Sequence, residues 1–311
     1  MEKNLDLRLV RHFVVVAEEL HFRRAATKLF VAQQVLSRDV RKLEDQLGVR
    51  LLDRTTRTVK LTAEGELMLD GARDLLARQD DLLRRLRGPS DRLVVDVGGH
   101  GTTPASLVAE ARPHEAGFEF YTTFNSSLTE SLAQLSAQTL DVAFAALGPD
   151  PLPAGLQHRL VRLEPLALLV PEGHRFAELP AIPLADLRDE PICYLAGDHV
   201  TDQWEEVARQ LVTLTGALPA PTHPKVRGVN ELAHHIRPGE PAVLTLASQY
   251  DVPSAVLRPL VDPTPLYPWT MLWRTRFQHP GVDLLHQIID THQKTWLNRP
   301  ADHWLRERPD G

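Results

Sequence analysis

Apolar residues recur along this chain with two different periods, and the change falls near residue 90. The first helical stripe is Leu9, Val10, Phe13, Val16, Ala17 and Leu20, which predicts a helix over Leu5 to Leu20. A shorter stripe comes next at Ala25, Ala26 and Leu29, with Phe22 anchoring its start. A third, Val35, Leu36, Val40 and Leu43, keeps one face apolar over two turns. Phe30, Val31 and Ala32 lie between the last two. Two short helices joined by so tight a break make a helix-turn-helix, whose second helix fits the major groove of DNA. Ala26 is small, as a close crossing of the two helices requires.

The polar face of that second helix carries Gln33, Gln34, Ser37, Arg38, Arg41 and Lys42. Gln can bond adenine's edge, Arg guanine's, and Ser either. Arg41 and Lys42 sit further along, where phosphate contact is expected. A merely solvated helix face would show the same pattern, so the segment beyond the helix carries the weight. Leu47-Gly48 ends the helix with a glycine cap. Val49 to Thr62 then reads apolar, basic turn, apolar: a small hairpin, or wing, with Arg54, Arg57 and Lys60 facing phosphates or the minor groove.

Thr62 is a suitable N-cap for a long helix reaching about Arg87, where Gly88-Pro89-Ser90 stops it. Met68, Leu75 and Leu82 recur every seven residues, with Ala72, Gln79 and Leu86 at the intervening heptad positions and Leu69, Leu76 and Leu83 alongside. As a seam between two copies, Met68, Ala72, Leu75, Leu82 and Leu86 are its residues. The alternative is a core helix of one compact domain.

At this point the chain resembles the LysR-type transcriptional regulators. The resemblance runs from Leu9 and Phe13 through HFRRAATKL and LSRDVRKLEDQLGVRLLDRTTRTVKLTAEG into the long helix. It departs where the family usually has Ser-Gln-Pro and this chain has Ala32-Gln33-Gln34, losing a Ser N-cap that typically stabilises by about 1 kcal/mol. It also loses the proline that pre-sets the first turn.

Beyond the hinge Gly88-Pro89-Ser90-Asp91, short apolar runs alternate with helical patterns. Strands are predicted at 93–97, 118–124, 140–145, 166–170, 192–195, 242–246 and 268–273, and helices at 105–111, 128–137, 184–187, 202–216, 230–236 and 282–297. Strand–helix–strand repetition implies parallel sheet with helices on both faces. The resemblance implies two lobes joined by two crossing strands. The fold class expected is thus α/β: an all-α-dominated N-terminal winged helix-turn-helix (1–62), a long linker helix and hinge (63–90), and a bilobed, periplasmic-binding-protein-like α/β effector domain (91–298). Lobe I takes about 91–162 and 268–298, lobe II about 163–267, and a tail of no readable purpose covers 299–311.

In open α/β lobes, ligands bind beyond the carboxyl ends of the strands. Two predicted helix starts point there, after His100-Gly101-Thr102-Thr103 and after Asn125-Ser126-Ser127. Thr102, Thr103, Ser126 and Ser127, joined by Val200, Thr201 and Asp202 of the second lobe, are the candidate effector contacts. The same hydroxyls would also serve simply as caps. Three departures from the family alter this cleft: a shorter loop before Pro104, Ala146 where some aromatic-acid responders carry Arg, and Gly239-Glu240-Pro241 in place of a Gly-x-Gly turn.

Charge sharpens the division. Residues 1–62 hold 13 Lys+Arg and 8 Asp+Glu, net +5, while the remainder holds 22 against 33, net −11. A basic head on an acidic body is expected when one domain touches DNA. No run approaches the roughly 18 apolar residues of a membrane span, and the charged start MEKNLDLRLVRHF lacks a signal-peptide core. A cytoplasmic protein is expected. The single cysteine, Cys193, excludes an intramolecular disulfide and reads as inert core. The fourteen histidines show no ligand spacing and read as scattered surface residues, so no metal is expected. GxxxxGK, GxSxG and GxGxxG are absent, and with no nucleophile–base set an enzyme is not expected. The resulting expectation is a sequence-specific DNA-binding regulator acting as a homodimer or homotetramer, with no cofactor beyond a small anionic or polar metabolite between the lobes. RNA polymerase is a further candidate partner. The competing expectation is a constitutive regulator whose cleft is vestigial.

Overall fold

The computed structural model describes residues 5–54, 59–87, 92–115, 117–148, 150–221 and 223–305. The chain forms two compact units, Met1–Gly88 and Pro89–Gly311.

The first unit contains α1 (Leu7–Glu19), α2 (Phe22–Lys28), α3 (Gln33–Leu47), a hairpin of β1 (Leu52–Arg54) and β2 (Val59–Leu61), and α4 (Ala63–Arg87). Its core gathers Leu9, Phe13, Ala25, Leu36, Val40, Leu43, Leu51 and Leu52. Full burial of a side chain such as Phe13 or Leu36 contributes about 1.5–3 kcal/mol. The inward face of α3 is rotated from the expected one. Val35 is exposed, and the inward position goes to Asp39, whose Oδ2 lies 2.9 Å from His12 Nδ1 on α1. Gly48 ends α3 at φ 76°, a left-handed cap that glycine adopts without strain. The Glu44 carboxylate accepts the N–H groups of Leu51 and Leu52 at 3.0 and 3.1 Å, which fixes the hairpin to the end of α3. Strands β1 and β2 are antiparallel, with Leu52 opposite Leu61 and Asp53 opposite Lys60. Thr62 caps α4 through its hydroxyl, which accepts from Gly65 N–H at 3.0 Å.

The second unit opens with β3 (Arg92–Asp96), α5 (Thr103–Ala111), β4 (Glu119–Thr123), α6 (Leu128–Ser136) and β5 (Val142–Ala145). These make a parallel three-stranded sheet in the order β4-β3-β5. The long strand β6 (Leu156–Pro171) then leaves this lobe. The other lobe holds β7 (Ile182–Pro183), β8 (Pro191–Cys193), α7 (Asp202–Thr215), β9 (Leu218–Pro219), α8 (Val229–His235), β10 (Ala242–Leu246) and β11 (Ala255–Val261). Strand β12 (Thr264–Arg274) returns, and α9 (Pro280–Trp296) and β13 (His303–Leu305) close the chain.

The sheet is mixed rather than parallel throughout. Residues 156–165 of β6 pair antiparallel with β12, and residues 166–171 pair antiparallel with β10 or β11. A strand that crosses between lobes and another that returns must run oppositely, which accounts for the departure from an all-parallel sheet. Two details differ from the sequence pattern. Leu214 of α7 is exposed, while Val212 and Thr215 are buried in its place. Tail residues His303–Leu305 pair in parallel with Thr264–Leu266, and Trp304 packs on the main core. Among the described residues, no helix is long and apolar enough to cross a membrane.

Candidate functional site

The recognition face begins where α3 begins. Ala32 stands at the N-cap in extended conformation with no side-chain hydrogen bond to the helix. Gln33, Gln34 and Arg38 are exposed, and Ser37 is half-buried. With Arg41 these side chains line one open concavity of about 370 Å³. Leu36, Val40 and Leu43 hold the other side of the helix in the core, so the polar face cannot rotate inward without exposing them. Lys42 and Lys60 are exposed, and Arg54 ends β1. Arg57 lies outside the described residues. Phe30, in the turn before α3, is 95% exposed at φ 54°.

The long helix corrects the expected seam. Ala72 and Leu76 are buried in the first unit's own core, with Met68 and Leu69 packed against it. The expected row Met68–Ala72 therefore faces inward, because α1 already covers it. Leu75 and Leu82 do point outward, joined by Leu67, which is 78% exposed. The Leu86 side chain lies outside the described residues.

In the second unit the two lobes meet at helix starts. Asp202 N–H donates to Ser126 O at 3.1 Å, and Leu128 N–H donates to Gln203 Oε1 at 3.0 Å. The cavity between them is lined by Asp96, Asn125, Ser127, Thr201, Gln203 and Trp269 among others, and it offers the centre of a water-sized sphere only about 10 Å³. That is room for about one water. Asp96, missed in the sequence because it reads as part of a strand, is the cavity's charged group. Its Oδ1 accepts Gly98 N–H at 3.0 Å and Asn125 N–H at 3.1 Å, and its Oδ2 accepts the Ser131 hydroxyl at 2.6 Å. Burial pushes its pKa up from the usual carboxylate range, against the pull of these three donors.

Thr102 and Thr103 do not face this cavity. Both are buried. The Thr102 hydroxyl lies 2.8 Å from Val97 O and 2.9 Å from Gly99 O, and caps α5. The Thr103 hydroxyl donates to Glu164 Oε2 at 2.6 Å and accepts from Arg162 at 2.8 Å. Their chemistry is consumed in holding the loop, which corrects the expectation of ligand contact. Ser127 and Thr201 line the cavity and cap α6 and α7 through their hydroxyls. Ser126 and Asp202 are exposed, and Asp202 sits 3.4 Å from Lys225. Val200 is buried, its carbonyl accepting from Arg227.

Glu164, on β6 where it crosses between lobes, is another group that sequence did not single out. Fully buried, it accepts from Trp269 Nε1 at 2.7 Å, Thr103 Oγ1 at 2.6 Å and Ser248 N–H at 2.9 Å. It thus ties both lobes to the crossing strands, and its donors lie 61 to 105 residues away in sequence. The glycine-rich loop gains a meaning here as well. A Cβ on Gly99 would stand 2.1 Å from Asp198 O, so only glycine lets the first lobe's loop approach the second so closely.

The histidines are not all scattered on the surface. His12, His199 and His279 are buried. Burial pushes the His199 pKa down to about 3. Cys193 is not isolated in its core position either, since His223 Nε2 and His235 Nε2 lie 3.2 and 3.6 Å from its Sγ.

Two family models match the chain. One, described as bacterial regulatory helix-turn-helix protein, lysR family, covers residues 7–66. The other, LysR substrate binding domain, covers residues 105–294. The uncharacterized HTH-type transcriptional regulator YnfL of Escherichia coli (strain K12) is 35% identical over 214 residues, or 66% of this chain and 70% of that protein. Among solved structures, a full-length OxyR variant from Pseudomonas aeruginosa superposes with a TM-score of 0.60 at 22% identity, covering 92% of this chain and 95% of its own. Full-length CbnR complexed with its target DNA gives a TM-score of 0.52 at 22% identity, covering 92% and 99%. At these identities the two structures speak to the fold.

Proposed function

The chain belongs to the LysR family of DNA-binding transcriptional regulators, and we propose that it reads operator bases with Gln33, Gln34, Ser37 and Arg38. Arg41, Lys42, Arg54, Arg57 and Lys60 hold the phosphates. The observation that carries this assignment is the exposed polar concavity on α3, backed by a helix face that the core holds in place. Two copies pair through the outward leucines of α4, Leu67, Leu75 and Leu82. A two-fold axis there sets two recognition helices about 34–36 Å apart, one DNA turn. The protein acts on DNA in the cytoplasm and carries out no catalysis.

The second unit takes a small polar or anionic effector between its lobes, held by Ser127, Thr201 and Gln203. Gln203 Oε1 already occupies the acceptor position at Leu128 N–H, and a ligand carboxylate or carbonyl oxygen would take it over at that helix start. A constitutive regulator is the second reading. The cavity of about 10 Å³ favours it. Melting of the full chain with a panel of small carboxylic acids separates the two, since a binder raises Tm by mass action and its absence across the panel supports the constitutive reading.

The assignment of Arg38 is tested by Arg38→Ala in a binding titration on operator and random duplexes, the operator found by footprinting DNA beside the chain's own gene. Specific affinity should fall by about 1–3 kcal/mol and one base preference should relax. Equal loss on both duplexes contradicts base readout by Arg38.

A further inference from the structure

Three side chains that are far apart in sequence converge in the second lobe, away from the cavity between the lobes. Cys193 is the last residue of β8, His223 lies in the segment after β9, and His235 is the last residue of α8. Their donor atoms all lie within 4.8 Å of one another. The two imidazole Nε2 atoms stand 3.2 and 3.6 Å from Cys193 Sγ. In a tetrahedral zinc site with Zn–S near 2.3 Å and Zn–N near 2.05 Å, sulfur and nitrogen are about 3.5 Å apart. The two sulfur–nitrogen spacings therefore suit a metal ion within a few tenths of an ångström, and the two imidazole nitrogens, within 4.8 Å of each other, would close to about 3.4 Å on ligation.

The surroundings are those that ligation needs. His223 Nδ1 lies 2.7 Å from Pro224 O and donates to it, which leaves Nε2 as the lone pair aimed at the sulfur. His235 likewise presents Nε2 to the sulfur, at 3.6 Å. The Cys193 thiol is buried among apolar side chains, and the thiolate is the form that ligates, so binding must displace its proton. An apolar shell of Ala196, Leu232, Ile236 and Val243 closes the inner side. His223 and His235 are half-buried, so an ion can enter from solvent.

We propose that Cys193, His223 and His235 form a binding site for a thiophilic transition-metal ion, zinc by its ligand chemistry, with the fourth position left to water or an exogenous ligand. Binding forms one metal–sulfur and two metal–nitrogen bonds, and the thiol proton is released to solvent. The site goes beyond the DNA-binding reading and stands apart from it. It also has a structural consequence. The segment carrying His223 continues through Val226, bridged to Ala196, and through Gly228, whose N–H donates to Asp198 Oδ1 at 2.7 Å. Asp198 is the residue that Gly99 of the other lobe abuts. An ion holding His223 to Cys193 thereby fixes the strap that positions the lobe contact.

Cobalt(II) titration of the chelator-treated full-length chain tests this. One cobalt per chain should bind, with a thiolate-to-metal charge-transfer band and intense tetrahedral d–d bands, and zinc should displace it. Cys193→Ser should abolish the charge-transfer band. His223→Gln, in a half-buried loop, should weaken zinc affinity by more than the roughly 10–100-fold that loss of an outer-shell partner costs, and it keeps the test open if Cys193→Ser disturbs folding. Weak octahedral bands without charge transfer, or affinity unchanged in His223→Gln, would overturn the proposal and leave three groups that only hydrogen-bond one another.

Discussion

Acidification should weaken the second unit chiefly through His199, its most strongly shifted histidine. It is fully buried against Trp204, with ring centroids 4.2 Å apart in edge-to-face geometry. Burial holds its pKa at about 3, against 6.5 for the unhindered group. The folded state therefore keeps His199 neutral where the unfolded chain takes up a proton. The stability this represents is fully present above pH 6.5 and is lost as pH falls from 6.5 towards 3. At 1.36 kcal/mol per unit, the loss by pH 5 is about 2 kcal/mol. His235 and His286, whose pKa values burial also lowers, act in the same direction, while the raised pKa of Asp96 acts against them. The contribution of His199 is isolated as the difference between the chain and its His199→Gln variant. All five tryptophans, Trp204, Trp269, Trp273, Trp296 and Trp304, lie in the second unit, so urea unfolding followed by tryptophan fluorescence reports on that unit alone. The variant should lose about 2 kcal/mol less stability between pH 7 and pH 5. Identical pH slopes in the two proteins would refute the reasoning, since they would mean that His199 titrates normally in the fold.

Two further outcomes concern the first unit. Ala32→Ser should stabilise it by about 1 kcal/mol, because the extended N-cap of α3 has no side-chain acceptor, and amide hydrogen exchange of α3 measures the gain. Leu82→Glu should shift sedimentation from dimer towards monomer and weaken operator binding more than nonspecific binding, because Leu82 is 56% exposed on α4 and a charge there opposes pairing.

The first unit was largely legible in the sequence because its elements are set by neighbours a few residues apart. The helix-turn-helix, the Gly48 cap and the Thr62 cap each depend on local spacing, and each appears where the pattern puts it. Errors there are errors of phase. The apolar band on α4 is wide enough to suit two faces, and only the position of α1 decides that Ala72 turns inward and Leu75 outward. In the second unit the strands and helices were mostly visible, while the chemistry between them was not. Cys193 meets partners 30 and 42 residues away, and neither spacing carries a local period. Asp96 and Glu164 each sit in an apolar strand, where an acid looks like an alternation on an exposed face and turns out to be a buried acceptor. The threonines at the start of α5 failed for the complementary reason: a hydroxyl has one hydrogen to give, and Thr102 gives its own to the loop carbonyls of Val97 and Gly99 and Thr103 to Glu164.

The closed cleft sets a condition on any effector. Three of its helix-start N–H groups already have partners: Leu128 N–H on Gln203, Asp202 N–H on Ser126, and Trp204 N–H on Thr201 Oγ1. Two of these bonds join the lobes, and a neutral hydrogen bond contributes about 0.5–1.5 kcal/mol net. Closure without ligand is therefore favoured by roughly 1–3 kcal/mol from these bonds. A ligand that merely replaces Gln203 on Leu128 gains nothing relative to this closed state, and one with equal affinity for open and closed lobes shifts no population. An effector must bring a group that the protein cannot supply. Asp96, the charged group lining the cavity, offers the site for one: its carboxylate can pair with a ligand cation beside the donors it already accepts from. Discrimination among effectors should then follow the charge a ligand sets against Asp96 more closely than the helix starts.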